Sequence, residues 1–233
     1  MTKEIIGIIG AMQPEIDILK NDMSIRDTFK IAEIDYFIGE LYGKEVVLVE
    51  SGIGKVNASI VTTLLIEHFK VSLVINTGVA GSLSSNLDIT DIVIGSSMAH
   101  HDVDATTFGY SYGQIPGMPL SFDVSEEIVE AAEVALREYG EVNFHKGLIV
   151  SGDSFIDDNE RKEFILKEFE EALAVDMESA PIAQVCHRFH IPCLIMRSMS
   201  DKADNSADMN YEEFLLKACI HSSNTVKLVL RKL

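Results

Sequence analysis

Short apolar runs and longer segments with apolar residues at helical spacing alternate along the chain. Ile5–Gly10 has the pattern of a strand covered on both faces, whereas Lys55–Phe69 carries an apolar stripe typical of a helix. The same patterns predict strands over Ile5–Gly10, Phe29–Ile34, Tyr36–Leu41, Glu45–Glu50, Leu73–Thr77, Asp91–Ser96, Gly147–Val150, Leu173–Asp176 and Pro192–Ser198. They predict helices over Glu15–Asn21, Lys55–Phe69, Ser125–Tyr139, Glu160–Glu171, Met177–Phe189 and Tyr211–Leu230.

This alternation predicts one α/β domain over residues 1–233, a three-layer sandwich with a central mixed, twisted sheet flanked by helices. In such folds the ligand binds beyond the carboxyl ends of the strands. That rule selects the segments Ala11–Glu15, Ser51–Lys55, Gly78–Gly81, Ser151–Phe155, Met177–Glu178 and Ser200–Asp204. The glycine- and proline-rich stretch His100–Pro119 is predicted to be a long loop, and its aromatic residues favour a functional role.

The composition excludes several classes of partner. With 37 acidic and 19 basic residues the net charge is -18, which disfavours nucleic-acid polymers and anionic membranes but not a neutral nucleoside. No apolar stretch approaches the ~20 residues of a membrane span. The odd set Cys186, Cys193 and Cys219 indicates reduced core thiols, so we expect a cytoplasmic protein.

Several familiar motifs are incomplete or absent in this chain. Gly52-Ile53-Gly54-Lys55 resembles part of a phosphate-binding loop, but the remaining glycine and Ser/Thr positions do not match. His100 and His101, with Asp102 and Asp104, could suggest a metal site, but neighbours on a strand point to opposite faces, and a structural role is the simpler interpretation. The pair His187 and His190 has no evident third ligand, and no nucleophile elbow is present.

Acidic residues follow several of the predicted strands. Glu15 follows the first strand, Asp176 and Glu178 follow a later one, and Asp201 follows Pro192–Ser198. A single surface acid would need no explanation in so acidic a chain. Acids at several carboxyl ends should converge in space, which predicts a site with paired carboxyl groups.

A set of ordered motifs carries a resemblance to a known family. They are Gly7–Glu15, Ser51–Ala58, Asn76–Gly81, His101–Asp104, Phe108–Tyr110, Ser151–Ile156, Val175–Glu178 and Arg197–Asp201. Together, at matching spacing, they make the chain resemble the methylthioadenosine/S-adenosylhomocysteine nucleosidases of the purine nucleoside phosphorylase superfamily. The resemblance covers essentially the whole chain.

The resemblance implies an N-glycosidic hydrolase of adenine nucleosides that needs no cofactor or metal. It implies that Glu15 is the general base that activates water at ribose C1′, and that Asp201 is the general acid that protonates purine N7. It further implies that Glu178 holds the ribose hydroxyls, that Met177 packs on the sugar and that Phe155 stacks on adenine. Protonation of N7 lets adenine leave as a neutral base, while a carboxylate stabilises the oxocarbenium-like sugar.

Further site positions are implied by the same match. Ile156 would give main-chain contacts to the base. The positions expected to line the pocket of the 5′-substituent are Ile53, Ala105, Phe108, Tyr110, Pro116 and Tyr211. Other substrate-binding positions are Ala11, Met12, Val79, Gly81, Asp176, Ser200 and Ala203. The segment from Phe108 to Pro116 would come from the partner subunit, which implies a homodimer.

Departures from the family pattern concern the substrate rather than the reaction. Val79 stands where many members have serine, Tyr211 where phenylalanine is common, and Asp176 where glutamate is more usual. The variants Gly78–Leu83 and Glu160–Phe164 are similar to relatives that also accept aminodeoxyfutalosine, and 5′-deoxyadenosine is a further candidate substrate. Two alternatives stay open: a phosphorylase, which would need cations such as Lys55, Arg197 or Lys202 around phosphate, and a non-catalytic nucleoside-binding module.

Overall fold

The strands and helices follow one another in the predicted order. The structure, a computed structural model, describes residues 4–232 apart from the side chains of residues 208–210. The strands are β1 (Ile5–Gly10), β2 (Ser24–Ile31), β3 (Ile34–Leu41), β4 (Lys44–Glu50), β5 (Leu73–Ser82), β6 (Ile92–His100), β7 (Phe122–Asp123), β8 (Phe144–Ser151), β9 (Ala172–Asp176) and β10 (Cys193–Asp201). The helices are α1 (Gln13–Asp22), α2 (Lys55–Glu67), α3 (Glu126–Tyr139), α4 (Asn159–Glu168), α5 (Ser179–Phe189) and α6 (Ala207–Lys232).

The central sheet is mixed and curls upon itself. Its order runs β10-β6-β8-β9-β5-β1-β4-β3-β2, and β10 also pairs with β5, so that five strands close into a ring. Strands β1, β4, β5 and β10 pair in parallel, whereas β2–β3, β3–β4, β6–β10 and β5–β9 are antiparallel. The predicted fold class, a mixed sheet flanked by helices, is confirmed.

Helices cover the sheet on two faces. Leu65 of α2 and Ile182 of α5 belong to one buried apolar cluster. Leu19 of α1, Val129 of α3 and Val226 of α6 belong to a second cluster. Burying these stripes against strands that are apolar on both sides is the main stabilisation of the three layers. No helix in residues 4–232 is both long and apolar enough to cross a membrane.

The first hairpin differs from its prediction. The predicted strands Phe29–Ile34 and Tyr36–Leu41 leave Asp35 for the turn, but β2 and β3 join at Ala32 and Glu33, both with positive φ, at 52° and 62°. Hairpin turns of this kind favour asparagine and glycine, so an Ala-Glu turn carries little sequence signal. The strand predicted over Phe29–Ile34 is therefore wrong, because the turn lies within it.

Several elements near the carboxyl ends of the strands begin or end elsewhere than predicted. β5 and β10 continue past Thr77 and Ser198 because they pair with each other as far as Gly81 and Asp201. Helix α5 begins at Ser179 rather than Met177, which leaves a bend between β9 and the helix. Two helix boundaries also differ: α4 ends before Glu171, and α6 begins before Tyr211. The His100–Pro119 loop contains a 3₁₀ turn at Thr106–Phe108 and is followed by β7, which the sequence does not predict.

Candidate active site

A cavity of about 410 Å³ lies where β1, β5, β9 and β10 end. Its lining consists of Ala11, Met12, Glu15, Ile53, Val79, Ala80, Gly81, Phe155, Val175, Asp176, Met177, Glu178, Ser200, Asp201, Tyr211 and Glu212. The carboxyl groups expected from the strand-end pattern therefore line one cavity, at the edge of the sheet where ligands bind in α/β folds. Most of the other lining residues are apolar, which suits a flat base and a sugar.

Glu15 is held at the bottom of the first turn of α1. Its Oε2 accepts hydrogen bonds from the backbone N–H groups of Ala11 (2.6 Å) and Met12 (3.0 Å), and its Oε1 accepts one from Val79 (3.0 Å). Burial raises the pKa of Glu15, while the Arg197 charge and these three N–H groups oppose the rise. N–H donors aimed at both oxygens favour the ionised carboxylate, the form that can accept a proton.

The absence of a side chain at Gly78 makes room for this carboxylate. A Cβ atom at position 78 would lie 2.4 Å from Oε1 of Glu15, closer than any real contact. The backbone N–H of Gly78 bonds to Oγ of Ser222, which also bonds to the hydroxyl of Thr77. Helix α6 thereby fixes the strand segment against which Glu15 rests.

Asp201 ends β10 and lines the same cavity. Its Oδ1 accepts from the backbone N–H of Ala203 (2.8 Å) and its Oδ2 accepts from the hydroxyl of Ser200 (2.8 Å). Ala203, whose N–H binds this carboxyl group, has a φ of 49°, an uncommon value for alanine. Burial raises the pKa of Asp201, which favours the protonated form that can donate.

Glu178 is the N-terminal flanking residue of α5. Its Oε1 accepts from the backbone N–H of Gly54 at 2.8 Å, across 124 positions in sequence. Burial, followed by repulsion from Asp176, raises the pKa of Glu178 to about 8. Its second oxygen makes no protein hydrogen bond among the described residues, so the group can receive a hydroxyl of a ligand.

Asp176 lines the cavity, but its carboxylate is already hydrogen-bonded to other protein side chains. It accepts from the hydroxyls of Ser151 and Ser179 and from Nε of Arg197 at 2.7 Å. Arg197 is only 1% exposed, and its Nη2 bonds to the amide oxygen of Asn76. This cation is paired with Asp176 inside the protein. Its charge opposes the rise that burial causes in the pKa values of Glu15 and Glu178.

The basic residues that a phosphorylase would need lie elsewhere. Lys55 pairs with Asp102 (2.7 Å), and Lys202 contacts the carbonyl of Leu87 and Asp88. Together with the buried Arg197, these are the three candidate phosphate ligands. Within the described part of the chain neither lysine nor arginine lines the cavity, while several carboxyl groups do, so a phosphate anion would be repelled.

Aromatic side chains close one side of the cavity. The rings of Phe155 and Tyr211 meet edge to face, with centroids 5.7 Å apart. The Tyr211 hydroxyl donates to Sδ of Met12 at 3.0 Å, so the extra oxygen at this position is held at the rim. Phe155 is 42% exposed, which leaves its ring available to a bound base.

The structure brings most of the predicted positions together and leaves some apart. Ile156 borders a smaller recess that shares Gly81, Phe155 and Asp201 with the main cavity. Ala203 acts through its N–H rather than by lining the cavity. The remaining predicted positions, which are outside this chain's own cavity lining, are Ala105, Phe108, Tyr110 and Pro116.

Some site residues gave no usable signal in the sequence. Ala80 and Val175 line the cavity as ordinary strand residues, and Glu212 is an acidic residue near the start of α6 in an acidic chain. The sequence indicates Arg197 as a motif residue and as a candidate phosphate ligand, not as the partner of a buried carboxylate. A buried arginine in an apolar strand could have indicated a buried carboxylate partner, since charges are rarely buried unless they are paired.

Of the two neighbouring histidines, His100 has a hydrogen-bonding side-chain partner, whereas Nε2 of His101 is buried without one among the described residues. Nε2 of His100 bonds to Oε1 of Gln184, and Asp102 accepts from Lys55 and from the backbone N–H of Asp153. Asp104 bonds within its own turn, to Thr106. In residues 4–232 no group of three potential ligands is placed to hold a metal ion.

Comparisons with known proteins agree with this geometry. The family model of the phosphorylase superfamily matches residues 5–233. The 5′-methylthioadenosine/S-adenosylhomocysteine nucleosidase of Staphylococcus epidermidis is 47% identical over 228 residues, which are 98% of this chain and 100% of that protein. The crystal structure of the nucleosidase of the same name from Neisseria meningitidis, in complex with methylthio-immucillin-A, superimposes with a TM-score of 0.97 at 43% identity and covers 99% of this chain and 100% of that chain. Futalosine hydrolase of Helicobacter pylori has a TM-score of 0.94 at 35% identity, over 99% of this chain and 98% of that chain.

Proposed function

Since the chain belongs to the phosphorylase superfamily, and within it to the 5′-methylthioadenosine/S-adenosylhomocysteine nucleosidases, we propose that Glu15 and Asp201 are the general base and general acid of its N-glycosidic hydrolysis. One observation carries the assignment: two buried carboxyl groups that lie 186 positions apart in the sequence line the same cavity. Burial raises the pKa of both groups, but Glu15 accepts from three backbone N–H groups and Asp201 from one, which favours the ionised form of Glu15 and the protonated form of Asp201.

The proton is donated on the base side. Asp201 gives its proton to N7 of adenine while the C1′–N9 bond breaks, so that adenine leaves as a neutral molecule. Burial and a single backbone N–H leave this carboxyl group more easily protonated than an exposed aspartate. Phe155 stacks on the departing ring, and the backbone around Ile156 contacts its edge.

The sugar side receives the water. The oxocarbenium-like carbon faces a cavity whose ionisable lining is acidic, which stabilises positive charge. Glu15 takes a proton from a water molecule while the oxygen of that water forms a bond to C1′. Three backbone N–H groups hold the Glu15 carboxylate in place for this step. Glu178 holds the ribose hydroxyls with its free oxygen, and Met177 packs on the ring.

The substrates that we propose are 5′-methylthioadenosine and S-adenosylhomocysteine, with aminodeoxyfutalosine and 5′-deoxyadenosine as further candidates. The first two are in the name of the relatives, and the similarity to a futalosine hydrolase supports testing aminodeoxyfutalosine. Tyr211 and Met12, which stand at the rim, would meet the 5′-group. We expect the enzyme to act in the cytoplasm, since its three cysteines are buried and unpaired.

We also propose a homodimer in which Phe108 of one subunit completes the partner's 5′-pocket. Phe108 is 81% exposed, and Val56 of α2 is 69% exposed. Ile60 lies one turn further along α2 and is also exposed, and Ile53 belongs both to this apolar stripe and to the cavity lining. An exposed apolar stripe that reaches a cavity mouth is typical of a protein interface.

Release of adenine from 5′-methylthioadenosine tests the reaction. We expect the same rate with and without inorganic phosphate, and loss of turnover in Glu15→Gln and Asp201→Asn with inhibitor binding retained. Strict dependence on phosphate would favour a phosphorylase instead. Near-normal turnover in either variant would remove that residue from the mechanism.

A further inference from the structure

Helix α4 contacts the base side of the cavity through two consecutive residues. Nη1 of Arg161 donates to the carbonyl of Phe155 at 2.9 Å, which fixes the backbone of the proposed stacking residue. Nζ of Lys162 donates to the carbonyl of Lys202 at 2.5 Å and to that of Ser82 at 3.1 Å. Helix α4, which is rich in charged residues, thus contacts two separate walls of the site.

The two carbonyls that Lys162 joins frame Asp201 from both sides. Lys202 directly follows Asp201, and Ser82 directly follows Gly81, whose partner in the adjacent strand is Asp201. The ammonium group therefore ties the end of β5 to the end of β10. Asn159 adds a second tie from the same helix, since its N–H donates to the side chain of Asn205.

We propose that Lys162 is a positioning residue for Asp201: it fixes the strand end that carries the proposed general acid, and its charge tunes how readily that acid gives up its proton. The inference rests on the proposed function, because it requires Asp201 to be the proton donor. The half-buried ammonium group loses part of its hydration but gains two carbonyl partners.

The charges around Asp201 give the direction of the effect. Ala203 N–H and the Ser200 hydroxyl bond to the carboxyl group, Asp204 repels its charge, and Lys162 attracts it. Burial raises the pKa of Asp201, and the Lys162 charge, with the Ala203 and Ser200 hydrogen bonds, opposes that rise. Removal of that charge should raise the pKa of Asp201 and move the alkaline limb of the pH profile, where the acid loses its proton, to higher pH.

Four variants of the full chain test the proposal by the pH profile of kcat/KM for 5′-methylthioadenosine. Lys162→Met should lower kcat about tenfold, a part of the general-acid contribution, and move the alkaline limb to higher pH. Lys162→Arg keeps charge and donors and should restore the wild-type limb. Lys162→Gln keeps N–H donors without the charge, so it should move the limb with a smaller loss of kcat. Lys167→Met, an exposed lysine of the same helix, is the matched control and should change neither quantity.

The outcomes separate this inference from the proposed function. A lower rate with an unmoved limb in both Lys162→Met and Lys162→Gln, or no rescue by arginine, would overturn the role of Lys162 while wild-type hydrolysis stands. Absence of adenine release by the wild-type protein would overturn the proposed function itself. If Lys162→Met does not fold, as judged by circular dichroism, the glutamine and arginine variants decide the question.

Discussion

A Cβ atom at Gly81 would lie 2.8 Å from Oδ1 of Asp201 and 3.0 Å from the Cβ of Ala203. The same oxygen of Asp201 accepts the Ala203 N–H, so it has little freedom to move away. Gly78 makes the corresponding space for Glu15. The two glycines of the Gly78-Val79-Ala80-Gly81 segment thus admit one proposed catalytic carboxyl group each.

Gly81→Ala should therefore impair catalysis more than folding. A shift of Asp201 by a few tenths of an ångström to one ångström can cost about 10²-fold in kcat. The control is Gly7→Ala, whose Cβ would have the side chains of Leu65 and Val71 as its nearest neighbours, at 3.0 Å and 3.3 Å. We expect the control to lower the melting temperature while kcat for 5′-methylthioadenosine stays within about twofold of the wild type. Wild-type kcat in Gly81→Ala would refute the steric argument.

The buried pair of Arg197 and Asp176 gives a stability prediction. Arg197→Met leaves the Asp176 carboxylate without its cation and should lower the free energy of unfolding by about 3–5 kcal/mol, measured by urea denaturation. The double variant Arg197→Met with Asp176→Leu removes both charges and should recover part of that loss, because no unpaired charge stays buried. A double variant less stable than the single one would contradict this account.

The sequence pattern located the proposed catalytic carboxyl groups but not the network that supports them. Glu15 and Asp201 follow predicted strands, and the rule that ligands bind at carboxyl ends placed them together. The pairing of Arg197 with Asp176 joins β10 to β9, which do not pair with each other in the sheet, so no local pattern could indicate it. Lys162 looks like a solvated helix charge, and only the fold shows that it bonds to two strand ends.

Local chemistry also limits what could be predicted about boundaries. The Ala32-Glu33 turn lacks the residues that favour positive φ. The strand pairing of the whole hairpin compensates for the conformational cost of these two angles. Conversely, Gly78 and Gly81 suggested the end of a strand, although β5 continues through both to pair with β10. In both cases tertiary pairing outweighs the local preference.

The raised pKa of Glu178 predicts how stability depends on pH. The ordinary pKa of 4.5 rises to about 8 in the folded protein, so the folded state binds the proton more tightly than the unfolded state. This contribution to stability is complete below about pH 4.5 and is lost as the pH rises to about 8. The melting temperature of the ligand-free wild type should therefore fall by several degrees more between pH 5 and 8 than that of Glu178→Gln. Parallel curves for the two proteins would show that Glu178 does not titrate in this range.

Disruption of the exposed apolar stripe on α2 should impair dimer assembly and activity together. Val56→Glu places a charge among Ile53, Ile60 and the partner's expected contacts, so we expect a monomer by sedimentation velocity. Val134→Glu on α3, where an exposed valine lies away from the cavity lining, is the control and should leave assembly unchanged. If Phe108 completes the neighbouring pocket, the Val56→Glu monomer and the dimeric Phe108→Ala variant should both show a raised KM for 5′-methylthioadenosine, about tenfold for one lost aromatic contact. A fully active monomer would refute the shared pocket, whereas an intact Val56→Glu dimer would place the interface on another surface.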